Sequence, residues 1–219
     1  MSKPITLWGH AGGPNPWKVI IILEELNLKY DHKMLEMSDV KKEPYEKICV
    51  NGRVPAIEDP NTGITLWESA AIIEYLIETY GQDKDLTFTS GPEKFLVKQW
   101  VFFQASGQGP YYGQAGWFAH YHPEKLPSAI ERYREHVKRV LGVLNKALEG
   151  KQYLVGEKCT IADLSFIAWD MMLPWMFGEA WAGLDVENKF PNYFAWNKRL
   201  LERPAVQAAV KAKAAVSKI

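Results

Sequence analysis

The sequence predicts an α+β protein: a β-α-β-α-β-β-α unit over about the first 80 residues, then an all-α domain. Three observations predict it. The β-prone runs all precede residue 68. Asp59-Pro60-Asn61-Thr62-Gly63 is a hairpin turn between two apolar runs. From Pro92 onward no strand run occurs, and apolar residues recur at helical spacing between prolines.

Residues 5–8 form a short β-prone run that ends at Gly9. The Gly and Pro content of residues 10–16 marks a loop, and Pro16 suits the first turn of a helix. Trp17, Ile20, Ile21, Leu23 and Leu26 then keep helical spacing up to Asn27. Residues 29–34 read as a second strand with Tyr30, His32 and Met34 on one face. Residues 39–48 are polar and suit a short, irregular helix. Strands at 54–58 and 64–67 flank the hairpin turn, and a helix over 69–80 ends at Gly81. This order matches a thioredoxin-like domain over residues 1–82. A polar linker follows, and residues 92–219 form the all-α domain. Its helices are expected at 93–104, 124–148, 161–172, 191–202 and 205–217. The run Gly107-Gln108-Gly109-Pro110-Tyr111-Tyr112-Gly113 suggests a bend that exposes aromatic rings. Thr160-Ile161-Ala162-Asp163 is a capping box that starts a buried helix.

The chain has 219 residues, with 26 acidic and 26 basic side chains, so its formal charge is zero. That balance argues against nucleic acid or an anionic membrane as the main partner. Cys49 and Cys159 lie far apart and make no metal-ligand or Cys-x-x-Cys spacing, so no metal is expected and free thiols in a reducing compartment are. The N-terminal residues carry no long apolar run, and no stretch approaches a membrane span of roughly 20 apolar residues. A cytoplasmic protein is expected.

Asn51-Gly52-Arg53-Val54-Pro55-Ala56-Ile57, followed by Leu66-Trp67-Glu68-Ser69-Ala70-Ala71-Ile72, carries the chemistry. Val54-Pro55 suits a cis peptide bond. A helix N-terminus offers unpaired N–H groups to a carboxylate. Ser69 and that helix end would hold a carboxylate while Glu68 holds the neighbouring ammonium, as in the γ-glutamyl end of glutathione. Glutathione chemistry needs a thiolate, and a free thiol is only about a few per cent ionised at neutral pH. A donor at the end of the first strand or the start of the first helix would raise that fraction. Residues 7–17 contain no Tyr, Ser or Cys, so a mixed disulfide with a protein cysteine is excluded there. Asn15 and His10 are the polar side chains left. Asn15 suits either a donor aimed at a sulfur or an N-cap.

Trp8-Gly9-His10 with Pro14-Asn15 and Lys18-Val19, then Arg53-Val54-Pro55-Ala56 and Trp67-Glu68-Ser69, resemble one fungal class of glutathione transferases. It is the Ure2p-like class, named after a prion-forming yeast nitrogen-catabolite regulator. Trp100-Val101-Phe102-Phe103-Gln104, Glu131-Arg132-Tyr133 and Leu154-Val155-Gly156-Glu157 extend the resemblance over nearly the whole chain. The regulator's Asn-rich extension and its loop before the Leu-Val-Gly motif are missing, which favours an enzyme.

The resemblance implies glutathione as co-substrate, with Asn15 near the sulfur and Lys41, Arg53, Val54, Glu68 and Ser69 as its contacts. It implies a homodimer and an apolar electrophile pocket between the domains, for which His10, Tyr111, Tyr112, Trp117, Phe118 and Trp175 are candidates. The reaction expected is conjugation of glutathione to small hydrophobic electrophiles. The alternatives are a glutathione-dependent disulfide reductase or peroxidase, and a non-catalytic glutathione-binding regulatory protein.

Overall fold

The computed structural model describes residues 2–216. Its described residues form two compact units, residues 2–86 with 202–216, and residues 87–201.

The first unit is built on four strands: β1 (Ile5–Gly9), β2 (Tyr30–Met34), β3 (Ala56–Asp59) and β4 (Ile64–Trp67). Their order is β2-β1-β3-β4, with β1 and β2 parallel and the other pairs antiparallel. The parallel pair needs a crossover, and α1 (Pro14–Glu25) supplies it. Strand β1 alternates buried and half-buried residues, with Ile5 and Leu7 in the core. Helix α1 is apolar on most faces because it is covered on several: Val19 to Leu23 are all buried. The short α2 (Tyr45–Ile48) precedes β3, and α3 (Ser69–Tyr80) follows β4. Ile72, Ile73, Leu76 and Ile77 are its buried face.

The second unit is helical. It contains α4 (Gly91–Phe103), a wider π-helical turn (Gln104–Gln108), α5 (Gly109–His120), α6 (Pro127–Ala147) and α7 (Ile161–Asp170). The short α8 (Leu173–Phe177), α9 (Ala180–Leu184) and α10 (Val186–Lys189) lead to α11 (Pro191–Leu201). The capping box is present at the start of α7, inside the core. Asp163 accepts from the backbone of Leu154 and Thr160 at 2.9 Å each, from Thr160 Oγ1 at 3.1 Å and from Trp196 Nε1 at 2.9 Å. One buried carboxylate thus ties α7, α11 and the preceding loop together.

Three features differ from the sequence reading. The first helix begins at Pro14, capped by Gly13, so Asn15 lies inside the first turn rather than before it. The expected bend at residues 107–113 is the π-helical turn running into α5. Its glycines serve packing. A Cβ at Gly109 or Gly113 would sit at 3.5 or 3.4 Å from the Trp169 indole, so a small residue lets that ring lie against the helix. Third, the last helix, α12 (Pro204–Val216), expected in the all-α domain, packs against α1 in the first unit. Val206 and Ala209 are buried there, and Arg203 forms a two-pronged pair with Glu25 at 2.6 and 2.8 Å. Sequence order gave no sign of which core this helix would join. Ser217, the expected end of that helix, lies outside the described residues.

Candidate functional site

Strand register gathers the sequence-predicted groups of the first unit at one end of the sheet. Trp8 pairs with Ala56, and Ala56 pairs with Trp67. The loop leaving β1, the turn entering β3 and the helix leaving β4 therefore share one edge. Asn15 stands in the first turn of α1, at the end of the first of these, Arg53, Val54 and Pro55 stand in the second, and Glu68 and Ser69 in the third.

His10 shapes the first loop. Its Nδ1 accepts the Gly12 N–H at 3.1 Å and its carbonyl accepts the Gly13 N–H at 3.1 Å. The Trp17 indole donates to the Ala11 carbonyl at 2.9 Å. This brings α1 in with its N-terminus at the sheet edge, where the first-turn N–H groups give a partial positive charge. A Cβ on Gly13 would lie 3.8 Å from Val54 Cγ2, so the first and second loops adjoin.

The Val54–Pro55 peptide bond is cis; the Glu43–Pro44 bond, which the sequence reading did not anticipate, is cis as well. Tyr45 is buried and donates its hydroxyl to the Arg53 carbonyl at 2.7 Å, fixing that backbone and leaving the guanidinium exposed. Gly52 has φ +57°, and a Cβ there would meet Lys41 Cγ at 2.9 Å and the Val40 carbonyl at 3.0 Å. The Lys41 stem thus lies against the Asn51-Gly52-Arg53 turn, and two exposed cations, Lys41 and Arg53, flank one glycine.

Glu68 is exposed, and its backbone lies at φ 74°, ψ 107°, a region unusual for a residue with a side chain. Backbone outliers of this kind cluster at functional sites. Ser69 is the first residue of α3 and only 7% exposed. Beneath it lies a residue to which the sequence reading gave no role. Lys18 is buried at 1% exposure and donates from Nζ to Ser69 Oγ at 2.9 Å. Burial pushes its ammonium down to about 7, against the opposing pull of the Glu68 carboxylate. A lysine inside the run Trp17-Lys18-Val19-Ile20-Ile21-Ile22-Leu23 is the signal that could have found it, since apolar helix faces seldom bury an ammonium.

The aromatic candidates of the second unit fall into three environments. Tyr112 is wholly buried and meets Trp169 edge-on, so it belongs to the core and not to an exposed aromatic wall. Tyr111 stacks on His136 at 4.2 Å, and Phe118 stacks on Tyr133 at 5.3 Å, two half-buried pairs along α5 and α6. Trp117 is 48% exposed and Trp175 is 37% exposed, and both lean on Tyr121. Trp175 also stacks on His120 at 4.3 Å and lies over Gly116, where a Cβ would meet its ring at 2.5 Å. His120 and Tyr121 carried no expectation from sequence.

Among the described residues, no group of three or more His, Cys, Asp or Glu side chains could hold a metal ion. No helix among them is long and apolar enough to cross a membrane.

Residues 3–78 match the glutathione S-transferase N-terminal domain and residues 109–204 the glutathione S-transferase C-terminal domain. The chain belongs to the glutathione transferase family. It is 47% identical to glutathione S-transferase 2 of Schizosaccharomyces pombe, with 93% of each chain covered. Glutathione transferase URE2P6 of Phanerochaete chrysosporium, solved with oxidized glutathione, is 46% identical, with a TM-score of 0.92 and 98% of each chain covered. Ure2p5 of the same organism, cocrystallized with 1-(S-glutathionyl)-2,4-dinitrobenzene, is 39% identical, with a TM-score of 0.91; 100% of this chain and 98% of that one are covered. This enzyme is thus a glutathione transferase with Ure2p-class neighbours: a thioredoxin-like unit on a four-stranded mixed sheet, and a helical unit.

Proposed function

We propose that this enzyme conjugates the glutathione thiolate to small hydrophobic electrophiles. The β4–α3 junction carries the reading: an exposed carboxylate at Glu68 stands beside a buried hydroxyl at Ser69 on a helix N-terminus. A zwitterion with its ammonium on Glu68 and its carboxylate on Ser69 satisfies both. The same ligand extended along the sheet edge sets its cysteinyl unit beside the Val54 backbone, as an added strand would lie. Its glycyl carboxylate then comes to Lys41 and Arg53, and its sulfur to Asn15 and the start of α1.

Asn15 has no acid–base chemistry of its own at neutral pH. Its amide N–H donates to the sulfur and favours the thiolate over the thiol. The thiol proton leaves to solvent. The sulfur lone pair attacks an electrophilic carbon, the C–S bond forms, and the leaving group departs with its bonding pair. A glutathione–dinitrobenzene conjugate bound to a relative supports this reading, because such a thioether is what substitution on an activated ring leaves. Trp117 and Trp175 are exposed aromatic surface of the helical unit.

A disulfide reductase activity is the second reading. A relative solved with oxidized glutathione favours it, and no protein cysteine is required when bound glutathione is itself the nucleophile. We place the enzyme in the cytosol as a homodimer. The test is turnover of 1-chloro-2,4-dinitrobenzene, a hydroxyethyl disulfide and cumene hydroperoxide by wild type and Ser69→Ala. Conjugation abolished in the variant supports the proposal. Turnover of the disulfide alone moves the assignment to the reductase, and glutathione binding with no turnover moves it to a binding protein.

A further inference from the structure

We infer that Lys18 is a positioning residue for the ligand carboxylate: its buried side chain sets the Ser69 hydroxyl and takes up a proton when that carboxylate binds. The inference rests on the glutathione reading and adds a buried charge to it. An ammonium has only donors, so the 2.9 Å contact makes Ser69 Oγ the acceptor. The Ser69 proton is then directed away from Lys18, available to an acceptor at the helix N-terminus. A neutral amine can instead accept a hydrogen bond from the hydroxyl, and the Ser69 donor is then no longer available to the ligand. The protonated form of Lys18 is therefore the one that favours a carboxylate at Ser69.

The surroundings keep that protonation open. Helices α3 and α12 and strand β1 pack against α1. The charged or titratable groups on them or directly flanking them are Glu68, Glu74, Tyr75, Glu78 and Tyr80 for α3, Arg203, Lys211 and Lys213 for α12, and His10 for β1. Glu68 raises the proton affinity of Lys18, and burial lowers it more. Its balance near neutrality lets a second negative charge, brought by a ligand at Ser69, draw a proton in. Glu68 and Lys18 then bracket a zwitterion with alternating charges: ammonium below Ser69, ligand carboxylate, ligand ammonium, Glu68 carboxylate.

The test is calorimetry of S-methylglutathione, whose blocked sulfur cannot release a proton. Wild type is titrated from pH 6 to 9, in buffers of different ionisation enthalpy. The expected result is net proton uptake near pH 7.5 and affinity that falls as pH rises above about 7. In Lys18→Met, affinity drops roughly ten- to hundredfold and the uptake vanishes, as expected for loss of a charged hydrogen-bond donor. The 4-aminobutyryl analogue keeps the ligand ammonium and lacks the α-carboxylate. It binds wild type without uptake and is insensitive to Lys18→Met, which a merely structural lysine would not produce. Tight wild-type binding of S-methylglutathione with no proton uptake overturns the role of Lys18 and leaves the glutathione reading standing, whether or not the variant folds. No binding by wild type overturns both.

Discussion

Glu68 combines a strained backbone with an exposed carboxylate, and the two are separable. A side chain at φ 74° costs about 1 kcal/mol or more, which glycine would not incur. Glu68→Gly is therefore expected to raise unfolding stability by up to about 1 kcal/mol in urea titrations while weakening glutathione binding at least tenfold. A variant that loses stability would mean the Glu68 side chain serves the fold. The place of Glu68 and Ser69 at the start of α3 was legible in sequence because a helix start following an apolar strand leaves a pattern of its own. Lys18 was not. A lysine within an apolar helix reads equally as a stem that snorkels to water or as a buried charge, and only the 2.9 Å contact with Ser69 decides between them.

At the scale of elements, the start of α7 depends on one carboxylate. Thr160→Ala removes a cap and is expected to cost about 1–2 kcal/mol. Asp163→Ala leaves the Leu154 N–H, the Thr160 N–H and the Trp196 indole N–H unpaired in the core. It is expected to cost more than 3 kcal/mol, the sum of several orphaned donors. Chemical denaturation of both variants checks the order, and a larger loss for Thr160→Ala would contradict it. The capping box was readable because its spacing is local. Helix α5 was misread because Gly107-Gln108-Gly109-Pro110 has the composition of a bend. Its glycines are there for Trp169 and Trp175, residues some 60 positions away that sequence periodicity cannot bring to mind.

Across the whole molecule, two buried titratable groups, Asp170 and Lys18, shift stability with pH in opposite directions. Burial raises the Asp170 carboxyl from 3.8 to about 8, partly offset by hydrogen bonds from Tyr193, Asn197 and Gln108. The folded state then holds a proton that the unfolded chain has lost. Its contribution is complete below pH 3.8 and disappears as pH rises through about 8. Lys18 has the reverse sign. Folded at about 7 against 10.5 unfolded, it contributes fully above 10.5 and the contribution disappears as pH falls through about 7. Asp170→Asn is expected to flatten the decline of the thermal midpoint between pH 4 and 8, and an unchanged slope would mean Asp170 is ionised in the fold. The last helix, α12, packs against α1 in the first unit. Deleting residues 202–219 removes the Arg203–Glu25 pair and uncovers α1, and is expected to leave that unit unfolded by circular dichroism. The order of strands and helices was legible because each is a local pattern. The membership of α12 was not, because the choice between two apolar cores is made by tertiary fit.

The decisive question is whether this site makes a thiolate with no tyrosine, serine or cysteine between residues 7 and 17. Ultraviolet difference titration of bound glutathione, in wild type and in Asn15→Ala, measures that directly. The expected result is a thiol pKa below the free value in wild type that returns toward it in the variant. Tight binding with no depression in wild type would contradict thiolate activation by Asn15.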